Sequence, residues 1–154
     1  FAELGVIPSM QATHATSDKN MAVDRIGDVR IQGAYAWRKL MDAGALIANG
    51  SDFPVESPNP FFGLHASITR QDKDNGPVGG WYPEERMTDS EAFASFTLDA
   101  AYSGFQESLL GSLEPGKKAD FIVLDRDIFA IPDSEIWQAK ALETWVNGSQ
   151  VHGK

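Results

Sequence analysis

The chain has 154 residues, 42% of them hydrophobic, which is enough for one ordinary domain with a packed core and excludes a disordered tract. A formal charge of −9 with no compensating basic patch argues against nucleic acid and anionic membrane surfaces as partners. The absence of cysteine removes disulfides, thiolate metal sites and a cysteine nucleophile, and no apolar run approaches the roughly 18 residues that span a bilayer.

Phe1 to Ile7 carries no initiator Met and no charged leader, and reads as a helix end, with Gly5 past its C-terminus, running into a strand. The chain is therefore expected to begin in mid-fold, with a cytoplasmic location. Val6–Met10 is the expected first strand, entering a polar loop over Gln11–Asp18. From Arg30 to Ala43, Ile31, Ala34, Trp37, Leu40 and Met41 recur at helical spacing, and Gly44 stops the pattern. Ala45-Leu46-Ile47-Ala48 then forms a short strand without polar alternation, as in parallel sheets covered on both faces. Strand, helix and strand make a βαβ unit, which implies a parallel pair. Asp52 follows at the carboxyl edge of that sheet, where α/β folds place their chemistry. From the motif alone, its carboxylate is either a ligand and base or a cap on the following turn.

Beyond Asp52 a short helix is expected around Phe62–Thr69, followed by a long Gly- and Pro-rich stretch from Gln71 to Arg86 that contains Trp81 and Tyr82. Such loops act as lids or binding loops, or simply pack. Thr88-Asp89-Ser90-Glu91 is a capping box that opens a helix with Phe93, Phe96 and Ala100 on its apolar face. Glu114-Pro115-Gly116-Lys117 suits a type II turn, Phe121–Leu124 a strand, and Asn147-Gly148 a tight hairpin between Ala141–Val146 and Gln150–His152. The last forty or so residues thus read as a small β unit appended to an α/β segment. Trp37 and Trp145 fit core stripes, His65 falls on a helix as a packing or surface residue, and the sequon Asn147-Gly148-Ser149 is better explained by its hairpin.

Three stretches, Gly50–Glu56, Ala34–Arg38 and Gly111–Phe121, together with Ser9–Asp18, resemble the metal-dependent amidohydrolase superfamily in its YtcJ-like branch, also called amidohydrolase 3. The resemblance runs over nearly the whole chain and implies a (β/α)8 barrel with a small β-sandwich. Residues 1–110 would be the C-terminal part of the barrel, Val6–Met10 its seventh strand and Ala45–Ala48 its eighth; residues 111–154 would be the C-terminal share of the sandwich. Asp52 matches the family's aspartate after the eighth strand, with an implied role as metal ligand and general base. A divalent metal lowers the pKa of water from about 15.7 to about 7, and a carboxylate within reach takes the remaining proton and delivers it to the leaving nitrogen. The implied function is hydrolysis of a carbon–nitrogen bond in a small-molecule amide that is not a standard peptide, with zinc as the expected metal.

Two departures accompany the match. The family's His-x-His pair and its ligands from middle strands have no counterpart here: the histidines are His14, His65 and His152, and no His-x-His occurs. The chain thus corresponds to a C-terminal piece lacking six of eight barrel strands, and inactivity in isolation is the expectation. Ala12 stands where the family often has Pro. His14 contacts substrate, orients a ligand, or bonds backbone as a surface histidine; Gln11, in the same loop, and Trp81 are further candidates for substrate contact, with a plain packing role as the alternative for Trp81. The rival reading is a non-catalytic module, and exposed strand edges predict a homo-oligomer or swapped assembly.

Overall fold

In the computed structural model, which describes residues 1–153, two strands at the centre of the N-terminal part run parallel. β1 (Ser9–Met10) pairs with β2 (Ala48–Asn49) in the register Ser9 with Ala48 and Met10 with Asn49. The parallel relation is as the βαβ pattern predicts, but both ladders are shorter than the apolar runs: Val6 and Ile7 lie outside β1, and Ala45 to Ile47 outside β2. Two backbone bonds, Ala48 N to Pro8 O at 3.1 Å and Gly50 N to Met10 O at 3.1 Å, complete the pairing. Gly5 does end a short 3-10 turn in the left-handed region, at φ 64°.

Gln11–Asp18 is not a polar loop: Ala12–Asp18 forms helix α1. Its buried residues are Ala12, Thr13, Ala15 and Thr16. Small and hydroxylic side chains disguise this as a loop in the sequence, whereas spacings of three and four put Ala12, Ala15 and Thr16 on one face. The connection back to β2 is likewise divided. Helix α2 (Ala22–Arg30), unforeseen in the sequence, breaks at Gly27, which sits at φ 79°, ψ 164°. A 3-10 turn at Ile31–Gly33 follows, then α3 (Trp37–Asp42). The expected continuous helix from Arg30 to Ala43 is interrupted because Ala34 is extended and Tyr35 left-handed, at φ 52°. Trp37 is fully buried, as its stripe predicts.

α4 (Pro60–Thr69) starts at Asn59, whose side chain accepts from Phe61 N, with Pro60 at its first position. α5 (Asp89–Phe96) opens on the expected capping box: Thr88 Oγ1 accepts from Glu91 N and Glu91 Oε2 accepts from Thr88 N. It stops at Thr97, outside the helical region, and α6 (Leu98–Ser103) carries Ala100 separately. Between α4 and α5 the stretch from Gln71 to Arg86 is a tied strap. Trp81 N donates to Arg70 O at 2.9 Å, Arg86 Nε to Thr69 O at 3.2 Å, and Gln71 Nε2 to Asn75 O and Pro77 O, both at 2.8 Å. At Gly80 a Cβ would meet Thr69 O at 2.4 Å, and its φ of 89° also requires glycine.

The C-terminal part is a three-stranded antiparallel sheet in the order β3 (Phe121–Leu124), β4 (Ala141–Val146), β5 (Ser149–His152). Asn147 and Gly148 both have positive φ, 51° and 75°, as a type I′ hairpin requires. Gly116, at φ 99°, and the bond from Lys117 N to Glu114 O at 3.1 Å agree with the type II turn. Phe121 and Trp145 are register partners and stack with centroids 5.5 Å apart. A single core cluster joins both parts: Ala12, Ala15, Trp37, Ile47, Phe61 and Leu64 pack with Ile128, Ile136 and Ala139. His65 is buried beneath it, its ring nitrogens 2.9 Å from Asp133 O and 3.0 Å from Asp72 O. Among the described residues no helix is long and apolar enough to cross a membrane.

Arg38 on α3 clamps α5 by forking onto Glu91, Nη1 to Oε1 at 3.0 Å and Nη2 to Oε2. The guanidinium, assisted by Thr88, lowers the Glu91 carboxyl from its ordinary 4.5 to about 2. A group whose pKa is depressed on folding stabilises above its unfolded value and loses that contribution as pH falls through the folded one. Wild type is therefore expected to melt above Glu91→Gln at neutral pH, with the gap closing between pH 4.5 and about 2; a gap that stays constant on acidification overturns this.

Candidate active site

Both parallel strands deliver a polar segment at their carboxyl ends. β1 passes into Gln11, which caps α1 in an extended conformation (φ −126°, ψ 103°) without a side-chain capping bond. The first turn of α1 then presents His14. β2 passes through Gly50 and Ser51 to Asp52, which adopts φ 57°, a left-handed conformation uncommon for any residue but glycine and tolerated best by Asn and Asp. Asp52 O accepts from Val55 N at 2.8 Å and from Glu56 N at 3.3 Å, so the backbone forms the turn while the carboxylate is left out of it. The side chain is thus not the cap on its own turn.

These two residues meet. His14 Nε2 lies 3.3 Å from Asp52 Oδ2, with the His14 side chain 28% and that of Asp52 46% exposed. The two atoms are within contact distance but lack hydrogen-bond alignment: Nε2 is shielded from solvent and has no aligned partner among the described residues. The two groups are in direct contact, which leaves no space between them for a third group, and the 46% exposure of the Asp52 side chain keeps its carboxylate open to other partners. One turn further along α1, Ser17 Oγ donates to Glu56 Oε1 at 2.6 Å and fastens the Asp52 turn to the helix. Glu56 belongs to the Gly50–Glu56 motif, but nothing in the sequence indicates Ser17 as its partner.

Trp81 stands in a different cluster. Its ring lies 5.5 Å from that of Tyr35 and 4.8 Å from that of Tyr82, and Arg70 sits over both Trp37, at 4.2 Å, and Trp81, at 5.3 Å. Arg70 is fully buried, and burial lowers its guanidinium to about 10. Tyr35 Oη donates to Asp18 Oδ2 at 2.5 Å, linking this cluster to the far end of α1. At 1.5 Å per residue, that end is about 10 Å from Gln11. His152 is exposed on β5, away from both clusters.

A family model described as the amidohydrolase family matches residues 1–152. The chain belongs to the amidohydrolase family. Its place is in the YtcJ-like branch: it is 31% identical over 155 residues to the putative amidohydrolase YtcJ of Bacillus subtilis, covering 99% of this chain and 29% of that protein. It is also 31% identical over 153 residues to Protein LONG AFTER FAR-RED 3 of Arabidopsis thaliana, covering 99% of this chain and 26% of that protein. Among solved structures, an uncharacterized metal-dependent hydrolase from Pyrococcus horikoshii OT3 superposes with a TM-score of 0.74 at 27% identity, over 86% of this chain and 26% of that one. This amidohydrolase chain therefore spans 26% to 29% of the length of those curated relatives.

The donors present fit a metal only in part. Asp52 supplies a carboxylate and His14 an imidazole, but among the described residues no group of three or more His, Cys, Asp or Glu side chains is placed to hold a metal ion. A catalytic zinc site takes three protein ligands. The 154-residue amidohydrolase chain, incubated with zinc and desalted, is accordingly expected to retain well under one equivalent by elemental analysis; one tightly held equivalent would refute that.

Proposed function

We propose that this chain closes a (β/α)8 barrel with β1 and β2 as the seventh and eighth strands. Residues 1–110 would belong to the barrel and residues 111–154 to the C-terminal share of a β-sandwich. The whole protein would be a metal-dependent hydrolase of carbon–nitrogen bonds in small, non-peptide amides. The observation that carries the reading is the meeting of His14 and Asp52 at 3.3 Å, beyond the carboxyl ends of two parallel strands. Supporting it are the YtcJ relative and the metal-dependent hydrolase neighbour.

In this reading Asp52 is one ligand of a divalent metal, zinc by preference, whose other ligands come from outside these 154 residues. When bound, the metal supplies Lewis-acid activation of water and of the amide carbonyl. The Asp52 carboxylate accepts the proton of the attacking water and passes it to the leaving nitrogen, so that the carbon–nitrogen bond breaks as an amine departs. His14, 3.3 Å from Asp52 Oδ2, is assigned to substrate contact or to orienting that carboxylate. Gln11 is assigned to substrate contact at the start of α1; Trp81, packed with Tyr35, Tyr82 and Arg70 at the far end of that helix, takes the packing role that was its alternative.

Asp52→Asn in the intact protein, assayed on a panel of non-peptide N-acyl amides, is expected to lower kcat/KM by about 10²- to 10⁴-fold, the usual weight of a general base. Its melting temperature should stay close to wild type, since the carboxylate is outside the turn. Unchanged turnover would sink the assignment.

The same architecture supports self-association of the isolated chain. A two-stranded parallel pair leaves strand edges to be covered, and Leu4, Val6, Phe53 and Val55 around it are exposed. Light scattering on the 154-residue chain is expected to give species heavier than 16.8 kDa; one compact monomer would argue against this.

A further inference from the structure

β2 is apolar up to its last residue, where it turns polar and stays buried: Asn49 is 9% exposed. A carboxamide taken from water is costly unless its donors and acceptor are all matched. Here they are. Oδ1 accepts from Ala12 N at 3.2 Å, and Nδ2 donates to Ser67 Oγ at 3.3 Å and Ser95 Oγ at 3.2 Å. The two serines give their own hydrogens to the carbonyls of Gly63, at 2.9 Å, and Ala92, at 2.7 Å. Each Oγ is left with lone pairs towards Asn49, and this fixes which end of the amide is nitrogen. The remaining oxygen is thereby aimed at the first residue of α1, one of the helix-end N–H groups that Gln11 leaves uncapped.

We infer that Asn49 is the positioning residue that sets His14 against Asp52, an inference that rests on the proposed function of that pair. Asn49 precedes Asp52 by three residues, and Ala12 precedes His14 by two. The Asn49–Ala12 hydrogen bond and the His14–Asp52 approach therefore close a small ring between the two strand ends. Ser67 on α4 and Ser95 on α5 hold the amide from behind, so the orientation of α1 over the Asp52 turn is dictated from the core. Without the amide, α1 stays attached through Met10 but loses the contact that fixes its rotation, and a shift of about 1 Å is enough to spoil a reacting geometry.

The test is selective ¹⁵N-histidine NMR on the intact protein, with the His14 ring signals assigned by their loss in His14→Gln. In wild type, Asp52→Ala is expected to move the His14 ring resonances. In an Asn49→Ala background the same Asp52→Ala change is expected to move them by less than about a third as much, since a distance-dependent interaction fades once the ring is released. Ser67→Ala combined with Ser95→Ala, which leaves Asn49 in place but frees its amide, should weaken the coupling in the same direction; it decides the matter if Asn49→Ala does not fold. Undiminished coupling in these backgrounds, with only a lower melting temperature, would make Asn49 a purely structural residue and overturn the inference. If Asp52→Ala leaves turnover intact while the coupling still depends on Asn49, the catalytic reading fails and the positioning stands.

Discussion

A buried carboxamide cannot be left half-satisfied, and in this chain that constraint organises four elements at once. Asn49 ends β2, holds the first N–H of α1, and is held in turn by hydroxyls on α4 and α5. Apolar packing alone would bring these elements together without fixing their rotation, because hydrophobic contact is not directional. The amide adds direction: it has one acceptor end and one donor end, and the serines define which is which. What leaves β2 and what begins α1 therefore emerge in a set relation, and the half-exposed pair of His14 and Asp52 inherits it.

A second polar residue does comparable work on the other flank. Arg70, fully buried at the C-terminal end of α4, donates to Trp81 O at 2.8 Å and to Tyr35 O at 2.9 Å. Its guanidinium carbon lies over the rings of both Trp37 and Trp81. The strap from Gln71 to Arg86 is thus anchored to α3 and α4 through a cation that water does not reach. Anchoring at Trp81 also explains why Gly80 must be glycine: the strap passes so close to Thr69 O that no Cβ fits. A long Gly- and Pro-rich segment can in this way be a fixed wall and not a swinging one.

How much of this was legible in the sequence follows from the range of the interactions. The Asn147-Gly148 hairpin, the Thr88–Glu91 capping box and the Glu114–Lys117 turn are written in adjacent residues, and the structure contains all three. The parallel pair was legible as topology, from the order of apolar and helical segments, but not in its extent: β1 and β2 are two residues each. α1 was hidden because its helix depends on burial of Ala12, Ala15 and Thr16 against the core and on a cap contributed by Asn49, 37 positions away. The break at Tyr35 was hidden for a related reason, since its carbonyl turns to meet Arg70 and no local signal foretells that. Asp52 could be singled out by its place after an apolar strand and His14 by its place in the segment after the first strand, but that the two are neighbours became visible only once the strand ends were side by side.

The strength of that partnership depends on what else surrounds it. At 3.3 Å a protonated imidazole and a carboxylate attract by about 1 kcal/mol in bulk water and by about 5 kcal/mol at an effective dielectric near 20. Exposures of 28% and 46% leave the two side chains in this chain nearer the first regime. Proton transfer between such groups gains from the exclusion of water, which strengthens every fixed charge without moving any atom. The geometry is therefore built by the residues at hand, through Asn49 and the Ser17–Glu56 contact. On the proposed barrel reading its chemical force would come from further walls closing over it, and catalysis would then be a property of the enclosed barrel and not of the strand ends alone.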